Sequence, residues 1–438
     1  MKDRRGDEVT GATPEALDTF EAALAGFQCY AGDPLALLDR AAATAPGFAM
    51  AHLFRADLLL SGTEGPSLAP ARASIAAGAA HARTARERLH VAAATALADG
   101  RFEDAVERFE DILLEHPRDA LALEMAHIFD FFRGDARNLR DRVVRVLPAW
   151  SEQVPGYHAL LGMLAFGLEE TGDYARAEDT GRRALDLNPR DAWAHHAVAH
   201  VLEMQGRAAD GVKWMREREA EWAPDNFFAV HNWWHLALFH LDQDHIAAVK
   251  ALYQERIRAK PSTVVLEMID AAALLWRLYL RGVPIEPQFW TDIAATWTPL
   301  IEDGNYAFND VHALMAFLGA GRSDLVAQQL ATLKRAAAGS GSNAPMAARV
   351  GVPVGEALIA FAAGDYARTI ERLRPLRAYA QIFGGSHAQR DLLDLTLIEA
   401  ASRGGQRAMV CALAAERVRA KPSSPLALRY RDYGARAA

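Results

Sequence analysis

Glycine turns at a nearly fixed interval constrain this chain more than any other feature. Gly100-Arg101-Phe102, Gly134-Asp135-Ala136, Gly172-Asp173-Tyr174 and Gly206-Arg207-Ala208 follow one another at steps of 34, 38 and 34 residues. A recurring interval of roughly 20 to 50 residues marks stacked supersecondary units. Between the turns apolar residues recur at helical spacing, Ala, Leu, Arg and Glu fill the intervening positions, and strand-like alternation is almost absent. Each unit is therefore expected to be a helix hairpin with an apolar face that only a neighbouring hairpin can cover.

The segment from His158 to Asp191 shows how such a unit folds. Gly172 permits the tight turn, Tyr174 covers it, small Ala165, Ala177 and Ala184 let antiparallel helices approach, and Pro189 ends the second helix. The segment from Gly100 repeats the scheme with Phe102, Ala105, Phe109 and Pro117. Further turns are marked by Gly32-Asp33-Pro34, Gly321-Arg322-Ser323-Asp324 and Gly364-Asp365-Tyr366. Glu255-Arg256-Ile257-Arg258-Ala259-Lys260-Pro261-Ser262 is echoed by Glu416-Arg417-Val418-Arg419-Ala420-Lys421-Pro422-Ser423, each read as a helix end and its exit. The 34-residue steps match the tetratricopeptide period, so the expected class is all-α, tetratricopeptide-like hairpins stacked in a right-handed superhelical solenoid with a concave pocket. The pattern lapses between Gly282 and Pro299 and again at the flexible Ala336-Ala337-Ala338-Gly339-Ser340-Gly341-Ser342-Asn343. This predicts a helical array over 1–335, a linker or lid over 336–345, and a C-terminal helical portion over 346–438.

Composition narrows the range of partners. The 438 residues carry 48 Lys+Arg against 56 Asp+Glu, a net charge of −8, so there is no basic excess to neutralise a phosphate backbone or an anionic membrane. Neither nucleic acid nor membrane is expected as a partner. Cys29 and Cys411 are the only cysteines, which leaves neither a disulfide framework nor a thiolate zinc site. Met1-Lys2-Asp3-Arg4-Arg5 leads into no apolar stretch, and the expectation is a soluble cytoplasmic protein.

No phosphate loop, dinucleotide fingerprint, nucleophile elbow or His-Glu-x-x-His pair occurs. Histidine placement stands out instead. His196, His200 and Glu203 lie at i, i+4 and i+7, one face of one helix, and His231 and His235 repeat the i, i+4 pair with Asn232 beside them. If Gly206 is the inter-helix turn, Trp193, His196, His200 and Glu203 share the inward stripe of their hairpin. Glu169 takes the equivalent place one repeat earlier, with Glu170 adjacent. Imidazoles and carboxylates would then meet in one cavity, from which a metal site or an acid–base pair can be built, or they satisfy buried backbone carbonyls. The catalytic candidates are Glu169, His196, His200, His231 and His235.

Within the apolar run Asp270-Ala271-Ala272-Ala273-Leu274-Leu275-Trp276-Arg277, Asp270 and Arg277 share a helix face and need partners, whether each other, another repeat or a ligand. Trp233, Trp234, Phe239, Trp276, Trp290 and Trp297 read as core. Near the C-terminus, Ser386 with Gln389 is a capping box rather than a nucleophile with its base, since Ser386 and His387 point in different directions. Thr84 with Glu87 is likewise a helix start. His312, His387, Gln389 and Arg390 complete the ligand-binding candidates with Glu170, Trp193, Glu203, Asn232, Asp270 and Arg277.

Several of these strings together resemble the tetratricopeptide repeat protein 38 family. They are Ala165-Phe166-Gly167-Leu168-Glu169-Glu170 with Gly172-Asp173-Tyr174, Asp191-Ala192-Trp193-Ala194-His195-His196-Ala197-Val198-Ala199-His200-Val201, His231-Asn232-Trp233-Trp234-His235-Leu236-Ala237-Leu238, Leu274-Leu275-Trp276-Arg277-Leu278 and Gly384-Gly385-Ser386-His387-Ala388-Gln389-Arg390-Asp391. The resemblance runs from about Arg86 onward and implies an all-helical repeat fold in a cytoplasmic setting, with no reaction attached. The first expectation is a His/Glu/Asp/Arg pocket for a small polar or anionic molecule, with enzymatic activity open. In it Glu169 or a neutral His196 or His200 acts as base, and Arg277 and Arg390 hold a carboxylate or phosphate. The alternatives are a scaffold that holds a partner's peptide segment in its groove and a metal-dependent hydrolase or oxygenase.

Overall fold

The glycine turns form as the spacing requires. In the computed structural model, which describes residues 1–436, Gly100, Gly134, Gly172 and Gly206 take φ of +70°, +67°, +83° and +69°. This is the left-handed region, which costs glycine nothing and other residues about 1 kcal/mol or more. The turns joining later helices at Gly321, Gly364 and Gly405 do the same, with φ of +67°, +78° and +69°. The fold is all-α, built of tetratricopeptide-like helix hairpins, and the described residues contain no β-strand, only isolated bridges between Lys2 and Glu8 and between Ala31 and Asn226.

The chain divides into two compact units, Met1–Val198 with Ala220–Ala229, and Ala199–Glu219 with Val230–Ala438. In the first unit, paired helices include Ala85–Ala98 with Phe102–Glu115, and Tyr157–Glu170 with Tyr174–Leu187. Thr84 and Glu87 form the expected capping box, and Phe102, Ala105 and Phe109 are buried as the repeat offsets require. Small side chains set the helix separation. Ala165, Ala177 and Ala184 have no exposed surface, and a Cβ placed on Gly167 would lie 2.5 Å from the Leu139 carbonyl.

In the second unit the Val265–Leu280 helix is buried on every face, from Met268 through Leu278 without a break. It packs against Ala307–Gly319 and His387–Arg403. Residues 336–345 run between two helices of this unit. Ala336 and Ala337 finish the Ser323–Ala337 helix, Asn343 starts the next, and the Asn343 amide is stitched to the Ala307 nitrogen (2.8 Å) and the Gly304 carbonyl (2.7 Å). Those hydrogen bonds give a glycine- and serine-rich segment a fixed place. The continuous helix 343–362 is long and apolar enough to cross a membrane, yet more than half of its apolar stretch is buried, with Val350, Val354, Leu358 and Phe361 in the unit's core.

Close approach through small residues gives a direct test. Ala184→Leu should overpack the hairpin and cost about 1–3 kcal/mol, and Gly167→Ala should also lower the melting temperature because backbone, not a flexible side-chain end, faces the new methyl. An unchanged melting temperature in both would contradict this packing.

Candidate functional site

The sequence candidates fall in both units. Glu169, Glu170, Trp193 and His196 belong to the first, where all but half-buried Trp193 are buried. Trp193 stacks on Tyr30 with centroids 5.7 Å apart and meets Phe166 and Phe228 at 4.9 and 5.4 Å. His196 lies flat on Phe166 at 5.5 Å and edge-on to Phe228 at 5.1 Å. His195, its neighbour in sequence, is held by the Pro189 carbonyl at 2.8 Å. The first unit also holds a polar network that the sequence reading missed. His158 Nδ1 donates to Asp191 at 2.8 Å, and the Asn188 amide donates to both His158 Nε2 and Cys29 Sγ at 3.2 Å. Burial pushes the Cys29 thiol up to about 12, aided by the Asp191 charge, so Cys29 is a packed thiol and not a nucleophile.

The second unit brings together His200, His231 and His235, all buried, with one ring nitrogen from each lying within 4.8 Å of the others. They come from the Ala192–Met204 and Ala229–Asp242 helices. The His200 and His235 rings are 4.5 Å apart between centroids, and His231 and His235 are 4.9 Å apart and nearly perpendicular. Two of the imidazoles are backed by carboxylates on other helices. His231 Nδ1 donates to Asp270 at 2.9 and 3.0 Å, and His235 Nδ1 donates to Glu203 at 3.2 Å. Because an ionised carboxylate only accepts, each Nδ1 carries a hydrogen, and in a neutral ring that leaves the lone pair on Nε2. Burial pushes the Asp270 carboxyl up, and His231 opposes that shift. Trp234 stacks on His231 at 5.3 Å, and Asn232 is fully buried beside it in sequence.

The partners of the two charges in the Val265–Leu280 helix are thereby settled. Asp270 meets His231 rather than Arg277. Arg277 lies over the Trp234 ring at 5.2 Å and donates to the carbonyls of Ala388 (2.7 Å) and Ala273 (3.3 Å). Burial lowers its pKa, opposed by Asp391 and Glu203. Glu203 also faces Lys421 at 3.8 Å, a cation that the sequence reading placed only at a helix exit. The repeated Arg-Ala-Lys-Pro-Ser string was the signal for it. Beside these groups lies a cavity of about 40 Å³ lined by Glu203, Asp242, Arg277, Asp391, Arg417 and Lys421. That is room for water-sized occupants, far short of the roughly 300 Å³ at which metabolite pockets begin.

Three further candidates have structural duties. His312 Nδ1 donates to the Phe308 carbonyl at 2.8 Å, and burial lowers its pKa to about 4, so it is a neutral core imidazole. Gln389 closes the capping box, its carbonyl accepting from the Ser386 nitrogen at 2.9 Å while Ser386 Oγ caps the Gln389 nitrogen. Arg390 donates to the Gly385 carbonyl. His387 is half-buried at the first position of that helix. The anion clamp expected of Arg277 and Arg390 therefore has donors already engaged on backbone carbonyls.

No protein-family model matches the chain. Cellulose synthase operon protein C of Komagataeibacter sucrofermentans is 30% identical over 112 residues, covering 26% of this chain and 8% of that protein. Cellulose synthase 2 operon protein C of Komagataeibacter xylinus is 31% identical over 121 residues, covering 27% and 9%. The chain thus spans less than a tenth of the length of these relatives. The crystal structure of the TPR domain of P58(IPK) aligns over 85% of this chain and 84% of that one at 14% identity, with a TM-score of 0.20.

One buried carboxyl of the second unit makes a pH prediction. Asp310 accepts from Gln329 at 2.9 Å, and burial raises its pKa to about 7 from 3.8. The folded state then holds a proton that the unfolded state releases, so this group's contribution is full below pH 4 and is lost as pH rises to about 7. Asp310→Asn should leave stability near pH 4 little changed and raise it at pH 8 by a few kcal/mol, since each factor of ten in proton affinity is worth about 1.4 kcal/mol. Parallel urea titrations at the two pH values check this, and equal differences at both would contradict it.

Proposed function

We propose that this chain is a helical-repeat binding protein whose second unit takes a small polar or anionic molecule at the centre formed by His200, His231 and His235. The observation that carries the reading is the convergence of three buried imidazoles, two of them backed by carboxylates from other helices. Apolar side chains would fill such a place at lower cost, because buried polar groups must each be matched. The Nε2 lone pairs can accept a hydrogen bond from a ligand or, in an enzyme, take a proton from it, so the base would be a neutral imidazole of this centre. Two strings that carry the resemblance to the tetratricopeptide repeat protein 38 family, those holding His200 and His231–His235, are the ones that supply the centre, which supports that family as our reading.

A second reading is a scaffold for a protein partner's peptide segment, favoured by the hairpin repeats themselves, since such arrays commonly present extended binding surfaces. The experiment that separates the two is a thermal-shift screen of the chelator-stripped full chain against small carboxylates and phosphates, beside a peptide-library capture. A compound that raises the melting temperature of the wild type but not of a folded His200→Ala/His235→Ala double variant is the expected result. No shift by any compound, with peptides captured equally by both chains, would overturn the small-ligand reading in favour of the scaffold.

A further inference from the structure

We propose that His200, His231 and His235 form a binding site for a divalent first-row transition metal ion of zinc type. This deepens the reading above, on which it rests for the place of binding. Three imidazoles with ring nitrogens within 4.8 Å are close to a common coordination sphere. Nitrogen ligands about 2.0–2.1 Å from one tetrahedral ion sit roughly 3.4 Å apart, so closure needs side-chain shifts of an ångström or so. The carboxylates supply what such a site needs behind its ligands. Asp270 on His231 Nδ1 and Glu203 on His235 Nδ1 fix the tautomer that turns each Nε2 lone pair outward, the carboxylate–histidine–metal arrangement.

Charge fits as well. Imidazole ligands bring no negative charge, which comes instead from the Asp270 and Glu203 carboxylates behind them, the latter shared with Lys421 at 3.8 Å. Nitrogen-only ligation selects zinc-like ions over magnesium or calcium, which demand oxygen. Imidazole nitrogens meet the ligand preference of a zinc-type ion, and the ion would act as the anchor that Arg277, engaged on the Ala388 carbonyl, does not supply.

The test uses the full chain purified without an affinity tag, stripped with chelator and then loaded with Zn²⁺. One equivalent of Zn²⁺ should remain after desalting, measured by elemental analysis. His200→Ala should weaken retention at least 100-fold and Asp270→Asn by 10- to 100-fold, the usual effect of losing the group behind a ligand. His240→Ala/His245→Ala should change nothing, because that exposed pair, with ring nitrogens 3.3 Å apart, is the obvious adventitious site. Co²⁺ loaded into the wild type should give the intense visible absorption of a four-coordinate ion. Absence of retained Zn²⁺, a weak octahedral Co²⁺ spectrum, or loss of metal with the His240/His245 variant alone would overturn the site. If His200→Ala does not fold, Asp270→Asn and the wild-type Co²⁺ spectrum decide. Metal retained with no hit in the ligand screen would sink the ligand reading alone, and a ligand hit on a chain that retains no Zn²⁺ would sink the metal alone.

Discussion

Asp270 sits without exposed surface on a helix that is buried on every face. A carboxylate in that position is tolerated only if another element supplies a donor, because the cost of stripping it of water is several kcal/mol otherwise. His231 supplies it at 2.9 Å. From that contact much of the second unit's polar interior follows. His231 must face the Val265–Leu280 helix, which places His235 one turn along the same face, and His235 in turn meets Glu203 on the helix that carries His200.

The pairs also set the electronic character of the imidazoles. A histidine whose Nδ1 hydrogen is committed to a carboxylate is oriented and made more basic at Nε2, whether the consumer of that basicity is a proton or a metal ion. Arg277 shows the opposite outcome for a buried charge. Its Nη1 and Nη2 donors end on main-chain carbonyls and its face on Trp234, so it braces helices. The same division separates His312, whose ring is spent on the Phe308 carbonyl, from the histidines of the centre.

How much of this could be read from the chain depends on the range of each interaction. Turn glycines, small contact residues and capping boxes act over a few residues, and Gly172, Ala184, Thr84 and Ser386 behave as their neighbours in sequence require. The i, i+4 histidine pairs placed His231 and His235 on one face for the same reason. Partners were not legible, because Asp270 lies 39 residues from His231 and Lys421 lies far from Glu203 in sequence, and spacing says nothing of which helices pack. Nor was the division into units legible. It falls inside the continuous Ala192–Met204 helix, where no change of composition marks it, whereas the glycine- and serine-rich segment near Asn343 carries the signature of a hinge and is pinned by hydrogen bonds.

The central claim, that carboxylates hold His231 and His235 with their lone pairs on Nε2, is tested most directly by long-range proton–nitrogen correlation spectra of the full chain labelled with ¹⁵N only in histidine, with His231→Gln and His235→Gln spectra for assignment. The account predicts both rings as Nδ1–H tautomers at neutral pH, with the Nε2 resonances moving on addition of Zn²⁺. Nε2–H tautomers for both rings, unmoved by Zn²⁺, would contradict it.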